Sequence, residues 1–168
     1  MKLITLLLII TTSFYGQSKV EIAKELQKKH NPSNKNYVVF IDYSKPISEK
    51  RLYVIDMNTS KTILTTEVAH GINSGKEYAT DFSNKDKSLK SSLGVYITQE
   101  TYYGKFGYSL RVNGLEKTNS NARQRKIIFH SNKKMKTKWS FGCFSTNEKI
   151  NKKLINLIKN GCLVYVYK

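Results

Sequence analysis

The chain has 168 residues, and 29 Lys and Arg against 12 Asp and Glu give it a formal charge of +17. That length suits one domain with enough chain to bury a real core. So basic a chain meets anionic partners or an anionic matrix. Three histidines and two cysteines, with no HxxxH or CxxC spacing, exclude a standard zinc site, and Walker-type and dinucleotide loops are also absent. No metal and no organic cofactor is therefore expected.

Taken in order, Met1-Lys2 precedes an apolar run at 3–10 and a polar exit at 11–17. This is the pattern of a secretory signal peptide, placed at residues 1–16. The run is too short to span a bilayer comfortably, and no cysteine at the exit would take a lipid. The expectation is an exported protein of the periplasm or cell envelope, with no stable membrane span after cleavage. Export also argues against nucleic acid as the partner that the charge serves. Residues 17–36 form a leader helix and linker. Val20, Ala23 and Leu26 recur at helical spacing, and Asn31-Pro32 stops the pattern, so this piece is a surface helix or a mobile leader.

A domain over 37–168 follows. Residues 37–42, 51–56 and 62–68 are β-branched and aromatic and predict strands, with a hairpin connection at 58–61. Residues 83–92 are polar and lysine-rich, without periodicity, and predict a loop. Strands are expected at 94–98 and 108–112 around a turn at 103–107, and at 126–130, ending on His130. Ile150, Leu154, Leu157 and Ile158 predict a helix over 147–159, with Asn147 as N-cap and Gly161 beyond its end. A last strand covers 163–167. Many short strands and one late helix make the fold mainly β.

The stretch with most chemical promise is Ser140-Phe141-Gly142-Cys143. Glycine permits a tight turn and a close backbone approach. A helix that follows would favour thiolate at its N-terminal end. His130 lies 13 residues earlier at a strand end, a separation that lets the chain return beside it, so it could take the thiol proton. The competing readings of Cys143 are a small buried residue or a disulfide with Cys162, which itself sits in an apolar run. His70 opens a Gly- and Ser-bearing segment that is either a binding loop or a turn. His30, at a helix end, caps or is solvated. Asp42, Asp56 and Asp81 are isolated and offer no carboxylate pair. The lysines of 133–138 form a solvated loop, or cover the site and hold an anion.

Several stretches resemble one family when read together: 42–46, 51–56, 68–75, 82–84, 91–96, 109–116, 128–130 and Ser140-Phe141-Gly142-Cys143. From about Tyr37 onward the chain is similar to YkuD-like L,D-transpeptidases, in the branch of murein L,D-transpeptidase catalytic domains. The resemblance implies a β-sandwich-like domain of mixed sheets and an acyltransferase acting on peptidoglycan stem peptides. It maps the nucleophile onto Cys143 and the base onto His130. Gly142, Ser131 and Ser140 become oxyanion or supporting residues, and Arg111, His70 and Ser74 candidate substrate contacts. The chain departs from the family pattern at Phe141, where histidine is widespread. It departs from the branch at Phe144 and Trp139, where proline and arginine are usual, and has Ser131 where glycine often follows the base. The expected reaction forms 3-3 cross-links or releases D-Ala through a Cys143 thioester. The rival readings are a cysteine-dependent murein hydrolase and a non-catalytic murein-binding protein.

Overall fold

A computed structural model describes residues 18–133 and 138–168. The expected signal peptide and residues 134–137 of the lysine loop lie outside the described residues. The remainder contains eight strands and two α-helices. In chain order these are α1 (Lys19–His30), β1 (Tyr37–Asp42), β2 (Leu52–Asp56), β3 (Lys61–Thr66), β4 (Gly94–Gly104), β5 (Gly107–Gly114), β6 (Ile128–Ser131), β7 (Phe144–Thr146), α2 (Glu148–Ile158) and β8 (Leu163–Tyr167). The mainly-β fold of mixed pairing with a late helix is what the sequence predicts. All eight strands join one continuous sheet, in the order β3-β2-β1-β8-β4-β5-β6-β7.

β1 sits inside this sheet because it is apolar on both faces. Val38, Val39, Phe40 and Ile41 are all buried. It pairs antiparallel with β2 and parallel with β8, the last strand of the chain. A parallel neighbour needs a long crossover, and the intervening 120-odd residues supply it.

The sheet twists until its two edges meet, as large open sheets tend to curl. The segment after β3 runs beside β7: Ala69 N–H donates to the Ser145 carbonyl at 2.9 Å, Ser140 N–H to the His70 carbonyl and Ile72 N–H to the Ser140 carbonyl, both at 2.8 Å. Inside the curl lie Val39, Ile41, Val54, Leu110, Phe129 and Phe144, plugged by Leu154, Ile155 and Ile158 of α2. On the outer face Val38, Phe40, Val95 and Leu163 are covered by α1 through Ala23, Val20 and Leu26.

So α1 is docked on the sheet. Its start is fixed by a capping box: the Ser18 hydroxyl accepts from Glu21 N–H at 3.3 Å, and Glu21 Oε2 accepts from Ser18 N–H at 2.8 Å. Two other details depart from the sequence reading. β4 runs on to Gly104 and returns through a two-residue hairpin at Lys105-Phe106, with Gly107 at φ +80°. β7, three residues long, separates Cys143 from α2. It is too short to show a pattern in sequence. Cys143 and Cys162 are both free thiols. Among the described residues no helix is long and apolar enough to cross a membrane.

Candidate active site

The turn that carries Cys143 leads into the strand paired with the one that carries His130. β6 and β7 are parallel, with Phe129 opposite Phe144 and His130 opposite Ser145. Phe129 and Phe144 point into the inner core. Side chains alternate along a strand, so Ile128 and His130 on β6, and Ser145 across from His130, face the other way, with Cys143 in the turn just before β7.

His130 is buried, and its Nδ1 lies 2.8 Å from the Ser131 carbonyl oxygen. A carbonyl only accepts, so Nδ1 carries the hydrogen and Nε2 of the neutral ring holds a free lone pair. Phe106, at the tip of the β4–β5 hairpin, stacks on the imidazole at 4.3 Å between centroids and 27°. Burial pushes the imidazolium form below the ordinary histidine range, and the Ser131 carbonyl opposes this. The ring is therefore neutral at pH 7, held in one plane and one tautomer.

Cys143 is half-buried at the end of a turn that Ser140 braces. The Ser140 hydroxyl donates to the Cys143 carbonyl at 2.7 Å and accepts from Gly142 N–H at 3.1 Å. Gly142 takes φ +109°, a conformation that side chains rarely adopt. A Cβ there would lie 2.8 Å from the Lys90 carbonyl oxygen and 3.2 Å from Arg125 Nη2. Both backbone strain and close approach thus require glycine. The Cys143 thiol donates to the Lys126 carbonyl at 3.6 Å. Burial pushes this thiol up to about 11, against smaller opposing effects of the Ile128 backbone and the Arg125 charge. At rest Cys143 is a thiol and His130 a neutral imidazole.

Arg125 escaped the sequence reading, because a single arginine in a polar stretch carries no signal. Its guanidinium donates to the Ser83 carbonyl at 2.8 Å, to the Ser92 hydroxyl at 3.2 Å, to the Ser88 hydroxyl at 3.3 Å and to the Lys90 carbonyl. It thereby ties the loop over 83–92 against the Gly142 turn.

The three candidate substrate contacts fall in different places. Arg111 is opposite Ile128 in register, on β5, two strands from β7. Its guanidinium is engaged by Glu100 at 3.1 Å and lies 4.1 Å from the Tyr102 ring centre. His70 and Ser74 are fully buried. Arg51, also fully buried, donates through Nη2 to His70 Nδ1 at 2.9 Å, so His70 Nε2–H donates to the Gly75 carbonyl at 3.0 Å. Arg51 also donates to the Val68 carbonyl at 2.9 and 2.7 Å and to the Lys45 carbonyl at 3.0 Å. Ser74 Oγ accepts from Ser91 N–H at 2.8 Å. His70 and Ser74 thus shape the 68–75 segment, which lies against the Cys143 turn, from beneath. Of the lysine loop, Lys133 pairs with Glu148 at 2.9 Å. Lys138 and Ser145 border a cavity of about 330 Å³ next to β7. Phe141, two residues before Cys143, is exposed. Among the described residues no cluster of His, Cys, Asp and Glu could hold a metal ion.

A family model described as L,D-transpeptidase catalytic domain matches residues 11–167. Solved structures share the fold at low identity. Bd1075 of Bdellovibrio bacteriovorus is 19% identical, with a TM-score of 0.52 over 79% of this chain and 48% of that one. The helical cell shape determining protein Pgp2 of Campylobacter jejuni is 12% identical, with a TM-score of 0.55 over 89% and 55%. A fused Zn-dependent amidase/peptidase/peptidoglycan-binding domain-containing protein of Clostridium acetobutylicum is 16% identical, with a TM-score of 0.51 over 88% and 59%. The chain thus spans about half the length of these proteins. No curated protein matches. The family match covers nearly all of the chain, including the Cys143 turn and the His130 strand, and the chain belongs to the L,D-transpeptidase catalytic domain family.

Proposed function

We propose that this protein is an exported cysteine L,D-transpeptidase that acts on peptidoglycan stem peptides through a Cys143 thioester. One observation carries the reading. His130 has its Nδ1–H fixed on the Ser131 carbonyl, which leaves Nε2 as a proton acceptor on the strand paired with the one that follows Cys143.

The neutral pair makes His130 a general base at the moment of attack. The thiol turns from the Lys126 carbonyl toward His130 Nε2, which takes its proton. Sulfur attacks the carbonyl carbon of the third stem residue. Gly142 N–H is engaged by Ser140, so the backbone N–H of Cys143 is the oxyanion donor. The tetrahedral intermediate collapses, the C–N bond to D-Ala breaks, and His130 returns the proton to the leaving amine. The side-chain amine of a second stem then attacks the thioester. It loses a proton to His130, forms the 3-3 amide and releases the thiol. Water in place of the amine gives a free carboxylate, which is L,D-carboxypeptidase activity. Arg111 is the cation nearest in register to hold a stem carboxylate, if Glu100 yields it. The charge of +17 suits an anionic envelope, with residues 1–16 as the export signal.

The test is incubation of purified stem tetrapeptides with wild type and Cys143→Ala, products being read by mass spectrometry. Cysteine-dependent loss of D-Ala with cross-linked dimers is expected. Loss without dimers means a carboxypeptidase. No cysteine-dependent change in the tetrapeptides contradicts the proposal.

A further inference from the structure

Beside the base lies a second hollow that the mechanism does not use. It measures about 400 Å³ and sits between the β4–β5 hairpin and the first turns of α2. Three aromatic residues line it from the hairpin side: Tyr103, Phe106 and Tyr108. Phe106 is the ring that stacks on His130, so one wall of the hollow backs directly onto the base. Ser131, whose carbonyl sets the tautomer of that base, borders it too. Lys152 and the Lys133–Glu148 pair supply a polar, mainly cationic rim.

Tyr103 is the odd member. A tyrosine is normally at least half covered, yet this one is 80% exposed. Its ring is nonetheless held in place, 5.3 Å from the ring of Tyr108. Tyr108 is fixed in turn, its hydroxyl donating to Asn156 Oδ1 at 3.1 Å and its carbonyl accepting from Asn151 Nδ2 at 2.9 Å. A pre-positioned aromatic face open to solvent contributes nothing to the core. It offers a flat apolar platform to a ligand at little entropic cost. The platform, the ring-sized volume and the rim of ammonium and hydroxyl groups together suit a pyranose. Such a ring presents an apolar face of C–H bonds to an aromatic ring and an equator of hydroxyls to polar partners.

We infer that this hollow is a saccharide subsite, in which the glycan attached to the stem peptide lays a pyranose ring on Tyr103 within reach of Lys152. The inference rests on the proposed transpeptidase reading for its substrate but not for its test. Occupancy here would bring the stem past Phe106 toward Cys143, so the enzyme would select stems still attached to glycan over free peptides.

The experiment compares a free stem tetrapeptide with the same tetrapeptide carrying its N-acetylglucosamine–N-acetylmuramic acid disaccharide. Wild type should show a KM about tenfold lower for the disaccharide form, roughly one good contact. Tyr103→Ala should remove that preference while turnover of the free tetrapeptide stays unchanged. Lys152→Ala should remove part of it. Equal treatment of the two substrates by wild type, or a preference that survives Tyr103→Ala, overturns the subsite. If neither substrate is turned over, it is the transpeptidase reading that fails, and binding decides the subsite. Calorimetry of the disaccharide tetrapeptide with Cys143→Ala should then show binding that the added Tyr103→Ala change abolishes. Absent or Tyr103-independent binding overturns it.

Discussion

Two histidines in this fold are both buried, yet their rings are engaged differently. At the corner after β3, His70 has both ring nitrogens engaged, Nδ1 accepting from Arg51 and Nε2 donating to the Gly75 carbonyl. At the end of β6, His130 donates from Nδ1 to the Ser131 carbonyl and keeps Nε2 for a reacting proton. Burial holds both below the ordinary histidine range. Burial alone therefore does not tell the two apart; what distinguishes His130 is that, among the described residues, only Nδ1 of its ring is engaged. The corner holds the shape of the segment against which the Cys143 turn rests, and the strand end is where the proposed mechanism places its base.

The comparison breaks most sharply on activity. His130→Gln should lower D-Ala release in kcat/KM by about 10²–10⁴, the usual value of a positioned base, with little change in melting temperature. His70→Gln should leave the rate within a few-fold and lower the melting temperature instead. A comparable loss of rate in both variants would dissolve the distinction.

Arg51 gives the next largest effect, on stability. Its guanidinium is fully buried and feeds the Val68 and Lys45 carbonyls as well as His70. Arg51→Met strands those acceptors, at about 1–3 kcal/mol for a group left unbonded. Urea unfolding should show a loss of about 3 kcal/mol or more, because three acceptors lose their donor. A change under 1 kcal/mol would mean that the corner does not organise the segment after β3.

Gly142→Ala probes the other side of the comparison. Its Cβ would meet the Lys90 carbonyl oxygen at 2.8 Å, in a backbone conformation costly to any side chain. Strain of this kind costs about 1–3 kcal/mol. The structure relieves it by shifting the turn, so the rate of Cys143 acylation should fall by more than the stability loss alone explains. Unchanged acylation would contradict the tight packing of the turn under Lys90 and Arg125.

The smallest effect is on pH. Both histidines have folded-state values below the unfolded value of about 6.5. As pH falls below about 6.5 the unfolded chain takes up protons first, so stability contributed by the neutral rings is present above that pH and is lost on acidification. The melting temperature should fall between pH 7 and 5, and His70→Gln should flatten that slope. The rate of acylation should hold from pH 7 down to about 6.5 and decline only below it, as His130 becomes protonated. Alkylation of Cys143 by iodoacetamide in the absence of substrate should be slow at pH 7 and rise toward pH 11, because the thiol is held up to about 11.

Much of this was legible in the residues themselves. β1, β8 and α2 announce themselves through dense apolar runs or helical spacing, since burial on one or both faces leaves a periodic trace. The tight turn before Cys143 was legible from its glycine, which the structure holds at φ +109° beside a carbonyl. β7 was not visible, because three residues hold no period. The roles of Arg51, Arg125 and Phe106 were hidden for another reason. Each acts across 17 to 42 residues of chain, through backbone carbonyls or a ring face that no local motif encodes. His70 stood out in the sequence for its glycine-rich neighbourhood, yet that neighbourhood serves a tight buried corner.

The most direct test is the intact mass of the protein after mixing with a stem tetrapeptide and rapid acid quench, for wild type, His130→Gln and His70→Gln. The account predicts a covalent adduct on Cys143, equal to the acyl tripeptide, in wild type and His70→Gln, and little or none in His130→Gln. An adduct that forms as fast without His130, or one that forms on another residue, would contradict it.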